Sequence, residues 1–297
     1  MTNKRYGEPT IHVPVMKEEV ISSLNIKSDG IYIDGTIGLG GHSSLILSYL
    51  SSKGHLIGID RDQDALDICK QNLDASKKPY SLFHDSYHNL ESILDRLGIN
   101  KVNGILLDLG ISSRQLDDKS RGFSFRYNSD LDMRYNLFQK IKATDILNKY
   151  SEKKLADVIY FNGEERKARS IARTIIKMRP INTSFDLTES IRRCTPAKNR
   201  KKSIARVFQA IRIEVNKELE MLDALLKIFS RRLIVGGRIV IISFHSLEDR
   251  KVKHSFKKLS KENTIKILTK KPLRPCYKEK TENTRSRSAK LRFAEKI

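Results

Sequence analysis

A glycine-rich run between an apolar segment and an amphipathic segment carries the residues best suited to chemistry. It reads Asp34-Gly-Thr-Ile-Gly-Leu-Gly-Gly-His-Ser43. Glycines at a strand-to-helix turn let the backbone approach a ligand closely, and the amide groups at the helix start point towards it. Asp60 ends the next apolar segment, where a carboxylate can accept both hydroxyls of a ribose. Together these residues predict a site for a nucleoside-containing cofactor.

The acidic residues near the glycines discriminate between cofactors. The spacing after Gly38 does not follow the G-x-G-x-x-G pattern of dinucleotide-binding loops, which disfavours a nicotinamide oxidoreductase. Asp34 precedes the glycines, and Asp108 ends a later apolar segment. Carboxylates would repel a pyrophosphate but attract the sulfonium and ammonium groups of S-adenosylmethionine. The residues therefore favour S-adenosylmethionine over a dinucleotide.

The elements that must position these residues alternate in the first part of the chain. Residues 30–34, 54–60, 80–84 and 102–109 read as strands, and amphipathic stretches with helical spacing separate them. Strands connected by single helices must be mostly parallel, since a parallel crossover needs about that length. The pattern predicts a doubly wound α/β sheet, with the acidic residues gathered at the carboxyl ends of its strands.

The alternation stops after residue 113 and resumes later in the chain. We interpret residues 114–214 as a helical insertion, and residues 1–113 and 215–297 as the two parts of one discontinuous α/β domain. Apolar residues from Ile204 to Phe229 recur every three or four positions, which predicts one helix of about seven turns. Residues 237–244 then read as a fifth strand, and residues 264–268 and 289–295 as a closing antiparallel pair.

Composition narrows the class of protein and of partner. The 297 residues include 57 Lys or Arg against 35 Asp or Glu, a net charge of +22, and residues 250–297 alone hold 17 against 4. Such an excess favours a polyanion, most simply a nucleic acid. No apolar run is long enough to span a membrane, and the polar first residues predict no signal peptide. The three cysteines lack C-x-x-C spacing, which excludes zinc ribbons and disulfide scaffolds and favours the cytoplasm.

A series of longer motifs runs in order along nearly the whole chain. They are His12-Val-Pro-Val-Met16, Asp34 to Ser43, Gly58-Ile-Asp-Arg-Asp62, Asp108-Leu-Gly-Ile-Ser-Ser113 with Gln115-Leu-Asp117, Arg121-Gly-Phe-Ser-Phe125, Leu131-Asp-Met-Arg134, Gly163-Glu-Glu-Arg166, Phe208-Gln-Ala-Ile-Arg-Ile213 with Val215-Asn216, Ser243-Phe-His-Ser-Leu-Glu-Asp-Arg250 and Arg285-Ser-Arg-Ser-Ala-Lys-Leu-Arg292. In these motifs the sequence resembles the bacterial small-subunit (16S) rRNA (cytosine-N4)-methyltransferases.

This resemblance implies a Rossmann-like class I methyltransferase sheet with a helical insertion domain that recognises RNA. The reaction implied is methyl transfer from S-adenosylmethionine to a cytidine of the decoding centre in the small ribosomal subunit. The family's cofactor-binding positions fall on Gly40, Gly41, His42, Asp60, Tyr87, Asp108 and Gln115. Two positions depart from the family: Tyr87 stands where many relatives have Phe, and Thr284 where they usually have Pro. Either aromatic ring can stack on adenine.

The candidate catalytic residues follow the strands that end nearest the predicted crevice. The cytosine amine is a poor nucleophile, and acceptors on its N–H groups would take up positive charge as the methyl group arrives. Asp108 and Ser112 follow the fourth strand and are our candidates for this role. His245 follows the fifth strand and is a third candidate, although Ser246 with Asp249 is also typical of a helix capping box. The histidines lack metal-binding spacing, so we expect no catalytic metal.

Four polar residues are candidates for contacting the RNA. Arg212 and Asn216 form a polar stripe beside the apolar seam of the long helix, and Arg285 and Arg287 lie among the closing strands. Other interpretations keep the fold but change the substrate to DNA or a protein side chain, or remove catalysis and leave an RNA-binding assembly factor. The sequence does not indicate the oligomeric state.

Overall fold

The computed structural model describes residues 14–297, so His12 and Val13 of the first motif lie outside the described residues. Seven strands form one sheet in the order β3-β2-β1-β4-β5-β7-β6. Their bounds are β1 Ile31–Asp34, β2 His55–Asp60, β3 Tyr80–His84, β4 Val102–Asp108, β5 Leu233–Ser243, β6 Ile265–Ile267 and β7 Lys290–Lys296. The pairs among β1 to β5 are parallel, whereas β7 pairs antiparallel with β5 and β6.

Thirteen helices accompany the sheet in the described part of the chain. They are α1 Lys17–Leu24, α2 Gly41–Tyr49, α3 Gln63–Asp74, α4 Leu90–Arg96, α5 Ser113–Asp117, α6 Ala143–Lys149, α7 Glu152–Gly163, α8 Ala168–Lys177, α9 Ser184–Cys194, α10 Arg200–Asn216, α11 Glu218–Ile228, α12 Ser246–Lys261 and α13 Tyr277–Glu282. None of the helices in residues 14–297 is long and apolar enough to cross a membrane.

The sheet is buried on both faces, as the continuous apolar strands predict. Alternate residues of β4 point to opposite sides: Ile105 and Leu107 pack with α4, α11 and α12, whereas Leu106 packs with α1, α2 and α3. Helices on both faces of a mainly parallel sheet confirm the predicted doubly wound α/β fold. The carboxyl ends of β1, β2 and β4 therefore meet along one edge.

The segment between β4 and β5 has a hydrophobic core of its own. Its buried side chains run from Phe123 to Val215 and come from helices α6 to α10 and the irregular chain before them. In α8, Ile171 and Ile175 share one buried face, as their spacing predicts. A buried ion pair, Arg121 Nη1 to Asp62 Oδ2 at 3.2 Å, attaches this segment to the end of β2. The predicted domain limits at residues 113/114 and 214/215 stay a prediction.

The prediction of one seven-turn helix is wrong. Helix α10 ends at Asn216, Lys217 adopts a left-handed conformation with φ of 53°, and α11 starts at Glu218. The break divides the apolar seam between two cores: Phe208 packs inside the segment between β4 and β5, whereas Leu222 packs on the sheet. Apolar spacing alone could not reveal the break, because the three-or-four periodicity continues across it.

Candidate active site

The glycine loop joins β1 to α2 and turns through two left-handed glycines, Gly38 with φ of 50° and Gly40 with φ of 86°. The Gly38 N–H donates to Asp60 Oδ2 at 2.8 Å, so the loop and the end of β2 are joined directly. Gly40 faces away from the crevice: a Cβ there would lie 2.9 Å from Sγ of the buried Cys69 on α3. Gly41 and His42, in contrast, line the crevice. Gly40 thus shapes the loop, and its neighbours form the wall.

Asp34 organises the loop from beneath. Its Oδ2 accepts from Ser43 Oγ at 2.8 Å, and its Oδ1 accepts from the Thr36 N–H at 3.2 Å. Burial raises the pKa of Asp34 to about 6, against the opposing effects of His42 and these hydrogen bonds. The carboxylate remains charged at neutral pH and makes this end of the crevice attractive to a cation.

Asp108 ends β4 and pairs with His42 across the crevice, with 3.6 Å between Oδ2 and Nε2. Burial opposes the charged imidazolium, but the combined effects of Asp108, Asp34 and Glu279 outweigh burial and raise the pKa of His42. The Asp108 N–H donates to Thr36 Oγ1 at 2.6 Å, which fixes the strand end against the glycine loop. Asp108 Oδ1 is buried and has no hydrogen-bond partner among residues 14–297. Asp108 therefore lines the crevice and keeps one carboxylate oxygen that no described group pairs with.

Ser112 begins α5 as its N-cap and also lines the crevice. Its Oγ accepts from the Gln115 N–H at 3.1 Å, and Gln115 Oε1 accepts from the Ser112 N–H at the same distance. Gln115 Nε2 in turn donates to Asp62 Oδ2 at 2.8 Å. This capping box holds the turn after β4 in place and leaves the Ser112 hydroxyl hydrogen free to donate.

The predicted cofactor residues come together, apart from Gly40. The crevice is lined by Gly41, His42, Asp60, Tyr87, Asp108 and Gln115. Tyr87 is buried, and this burial, followed by nearby acidic groups, raises the pKa of its phenol.

Three further lining residues were missed by the sequence analysis: Tyr135, Glu218 and Glu248. The Tyr135 hydroxyl is buried without a hydrogen-bond partner in the described part of the chain. Glu218 lies two residues after the predicted Val215-Asn216 motif, and Glu248 lies within the predicted Ser243 to Arg250 motif. The signal available in the sequence was that these residues lie in or near the motifs. The fold is what brings α11, α12 and the segment around Tyr135 to the same wall of the crevice.

The prediction that Arg212 and Asn216 form an exposed stripe is wrong. The Asn216 side chain is fully buried, where its Oδ1 accepts from the Tyr135 N–H at 2.8 Å and its Nδ2 donates to the Met133 carbonyl at 2.7 Å. The Arg212 guanidinium makes two hydrogen bonds to Glu218, of 2.8 and 2.9 Å. Both side chains attach the end of α10 to its surroundings. The Arg212 side chain is only 15% exposed and that of Asn216 not at all, so they do not form the predicted solvent-facing stripe.

The two arginines near the C-terminus lie closer to their predicted positions. Arg285 lines the crevice and forms an ion pair with Asp117, at 2.6 Å between Nη2 and Oδ1. Arg287 is exposed, and its Nε donates to the Lys280 carbonyl at 3.0 Å. Their contacts with RNA stay a prediction.

His245 is the N-cap of α12, which corrects the predicted capping box. Its Nδ1 accepts from the Glu248 N–H at 3.4 Å, and Glu248 Oε2 accepts from the His245 N–H at 3.3 Å, so Ser246 and Asp249 are not the capping pair. Asp249 instead pairs with Arg292 of β7 at 2.7 Å. The crevice is lined by the neighbouring Phe244 and Glu248 but not by His245 itself. A catalytic role for His245 stays a prediction.

One group in the described residues has donor atoms that could approach a metal ion. Atoms of Glu218, His245 and Glu248 lie within 4.8 Å of one another. Glu218 is already engaged by Arg212, and Glu248 accepts from the backbone of Phe244 at 2.9 Å. These contacts use the carboxylates for internal pairing, and the absence of a catalytic metal stays a prediction.

Comparison with known proteins agrees with this geometry. A model of the MraW methylase family matches residues 9–297. The chain is 47% identical to "Ribosomal RNA small subunit methyltransferase H" of Clostridium botulinum (strain Kyoto / Type A2), over 96% of this chain and 99% of that protein. The protein of the same name from Kosmotoga olearia is also 47% identical, over 99% of both chains. Since the match extends over nearly the full length and includes the crevice, the chain belongs to the MraW methylase family.

Proposed function

We propose that the protein transfers a methyl group from S-adenosylmethionine to the exocyclic N4 of a cytidine in the decoding centre of 16S rRNA. As a member of the MraW methylase family it is an S-adenosylmethionine-dependent methyltransferase. The name shared by its relatives, small-subunit rRNA methyltransferase, supports rRNA as the substrate. The observation that carries the choice of an amine is the free, buried Oδ1 of Asp108 at the end of β4.

The residues of the crevice fit S-adenosylmethionine. Asp60 already accepts from Gly38 and Asp62, and its carboxylate oxygens keep lone pairs for the two ribose hydroxyls. The charge of Asp34 suits the ammonium group of the cofactor's amino-acid end. Gly41, which has no side chain to obstruct a ligand, lines the same crevice as Asp34. When bound, the cofactor supplies an electrophilic methyl group on a sulfonium.

Asp108 and Ser112 would accept hydrogen bonds from the cytosine amine and so activate it as the nucleophile. Delocalisation of the amine lone pair into the cytosine ring makes the nitrogen a weak nucleophile. A carboxylate oxygen accepting from its N–H favours a pyramidal nitrogen and stabilises positive charge as the carbon–nitrogen bond forms. The nitrogen must then lose one proton, and Asp108 Oδ1 can pass that proton to water. His42 Nε2 lies 3.6 Å from the other oxygen of Asp108, Oδ2, so Oδ1 is the oxygen left for the amine.

The cysteines support N4 over carbon 5 as the methylated atom. Methylation of cytosine at carbon 5 needs a cysteine thiolate as covalent nucleophile. Cys69 is buried behind the glycine loop, and burial raises its pKa to about 12. None of Cys69, Cys194 and Cys276 is among the residues that line the crevice.

The segment of residues 114–214 and the basic C-terminal part would hold the surrounding RNA. The target base must leave its stack to reach Asp108, and the neighbouring nucleotides then need new partners. Arg285 at the crevice mouth and the exposed Arg287 are candidates for phosphate contacts. The partly buried Arg212 and the fully buried Asn216 would act by positioning the crevice wall.

The test is labelled methyl transfer to small ribosomal subunits from a strain that lacks the modification, followed by nucleoside analysis. We expect N4-methylcytidine with the wild-type protein, and a loss of at least about 100-fold in single-turnover rate for Asp108→Asn, with cofactor binding retained. Asp29→Asn, an acidic residue before β1 outside the crevice, is the matched control.

Other products would identify the rival functions. Methylation of DNA or of a protein side chain, with none on the rRNA, would move the enzyme to another substrate. Tight binding of subunits without any methyl transfer would indicate an assembly factor. Unchanged rates in both Asp108→Asn and Ser112→Ala would contradict the assigned acceptors.

A further inference from the structure

A second groove lies beside the crevice and has no part in the function proposed above. It has a volume of about 510 Å³ and lies between the end of β3, residues 136–141 and the junction of α10 with α11. This volume is in the range of small-molecule pockets. Arg61 lines both the groove and the crevice, so the two are neighbours on one surface.

The charge facing the groove is positive once internal pairs are counted. Two acidic residues line it, and each already has partners: Asp85 lies 3.7 Å from Arg96, and Glu214 lies 2.9 Å from Lys217. Arg61 donates only to neutral groups, the Asn216 carbonyl at 2.8 Å and Gln139 Oε1 at 3.1 Å.

Lys140 is exposed, and among residues 14–297 neither Arg61 nor Lys140 has a carboxylate within 4.0 Å. Two positive charges therefore remain for an anion.

An aromatic ring stands at the rim of this cationic groove. Phe138 is 78% exposed, and its ring centroid lies 5.9 Å from that of His84, which lines the groove. Leu137 and Ile141 beside it are 43% and 49% exposed. Exposed apolar side chains gathered within five residues of the chain, beside charged residues, are typical of a contact site.

The backbone beneath Phe138 is firmly held. The Phe138 N–H donates to Asn136 Oδ1 at 2.9 Å, and the Arg134 guanidinium donates to the carbonyls of Leu137 and Gln139 at 2.8 and 2.6 Å. Gln139 Nε2 also donates to the Val215 carbonyl at 3.0 Å. The backbone that carries the exposed phenyl ring is thus held in place, which lowers the entropic cost of binding.

We propose that this groove binds a nucleotide of the substrate RNA that flanks the methylated base. The base stacks on Phe138, and Arg61 and Lys140 contact its phosphate. An aromatic platform beside a positive groove is how single-stranded nucleic acid is bound without sequence readout. The inference rests on the proposed function. When the target base leaves its stack and enters the crevice, the adjacent nucleotide loses its stacking partner, and the groove lies next to the crevice.

The experiment compares Phe138→Ala with Phe138→Tyr and with Tyr49→Ala, which removes a 57% exposed ring of α2 that lines neither the crevice nor the groove. Binding of a short single-stranded RNA and the KM for small subunits are measured, together with cofactor affinity. Phe138→Ala should weaken RNA binding and raise KM about tenfold, whereas kcat and cofactor affinity stay unchanged. Lys140→Ala should act in the same direction, and Phe138→Tyr should restore binding because it keeps the ring.

Equal RNA affinity of Phe138→Ala and Tyr49→Ala would overturn the proposal. So would a Phe138→Ala effect seen with whole subunits but not with naked RNA, because the groove would then contact a ribosomal protein. The oligonucleotide measurement needs no methyl transfer. Failure to form N4-methylcytidine would therefore count against the proposed function alone, and the groove would still be tested.

Discussion

At the scale of single residues, the crevice depends on carboxylates whose surroundings differ. Asp34 is buried beneath the glycine loop and has a pKa raised to about 6, whereas Asp108 keeps a free oxygen and an ion pair with His42. The first carboxylate organises the loop and supplies charge for a cation, and the second is the acceptor that we propose for the reacting amine. Their types and order were evident in the sequence, but their different burial was not.

The titration of Asp34 predicts how cofactor affinity depends on pH. Because burial raises its pKa to about 6, Asp34 becomes neutral as the pH falls below about 6, and attraction for the ammonium group is lost. The dissociation constant of S-adenosylmethionine should rise as the pH falls from 7 to 5, by at most about tenfold per pH unit. Calorimetric titration across this range measures it.

The Asp34→Asn variant is the control for this pH dependence. Its affinity should be lower at pH 7 and should change less with pH than that of the wild-type protein. His42 and Asp108 also act on Asp34, so the difference between the two profiles is the relevant quantity. A variant that retains the full wild-type pH dependence would contradict the assignment to Asp34.

At the scale of elements, turns and junctions decide where the site residues lie. Gly122, in the chain after α5, packs against residues 130–132, and its φ of 71° is left-handed. A Cβ at this glycine would lie 2.3 Å from the Asp130 carbonyl oxygen. The adjoining Arg121 carries the buried ion pair to Asp62, so the turn helps to attach the segment between β4 and β5 to the sheet.

Replacement of Gly122 by Ala should be strongly destabilising. We expect Gly122→Ala to lower the free energy of unfolding by about 3 kcal/mol, because it combines a left-handed residue with a backbone clash. Gly98→Ala is the matched control: Gly98 has φ of 69° but nothing within 4 Å of the added Cβ, so it should cost only about 1 kcal/mol. Denaturant unfolding measures both, and equal losses would show that the clash is relieved.

At the scale of the whole molecule, charge is distributed unevenly. Residues 250–297 hold 17 Lys or Arg against 4 Asp or Glu, whereas Asp34, Asp60 and Asp108 gather at the carboxyl edge of the sheet. A cationic surface around an acidic crevice suits an RNA outside and a sulfonium cofactor inside. The crevice and the neighbouring groove share Arg61, so both ligands would meet on one face.

This distribution predicts that salt separates the binding of RNA from that of the cofactor. With six to ten phosphate contacts, affinity for RNA should fall by about 10³ to 10⁵ between 50 and 200 mM salt. Affinity for S-adenosylmethionine should change far less, because its contacts lie within the crevice. Filter binding for RNA and calorimetry for the cofactor, at one pH, measure the two slopes. A flat RNA profile would contradict the phosphate contacts.

The parallel α/β sheet could be predicted from the sequence, because strands that are buried on both faces must be apolar throughout and their connecting helices amphipathic. The positions of Asp34, Asp60 and Asp108 could be predicted as well, since strand ends and turns are local features. The end of α10 at Asn216 became evident only from the packing, because the apolar periodicity continues across Lys217 while the two helices pack into different cores. For the same reason Tyr135, Glu218 and Glu248 could not be assigned in advance: contacts between distant segments depend on packing, which no local pattern records.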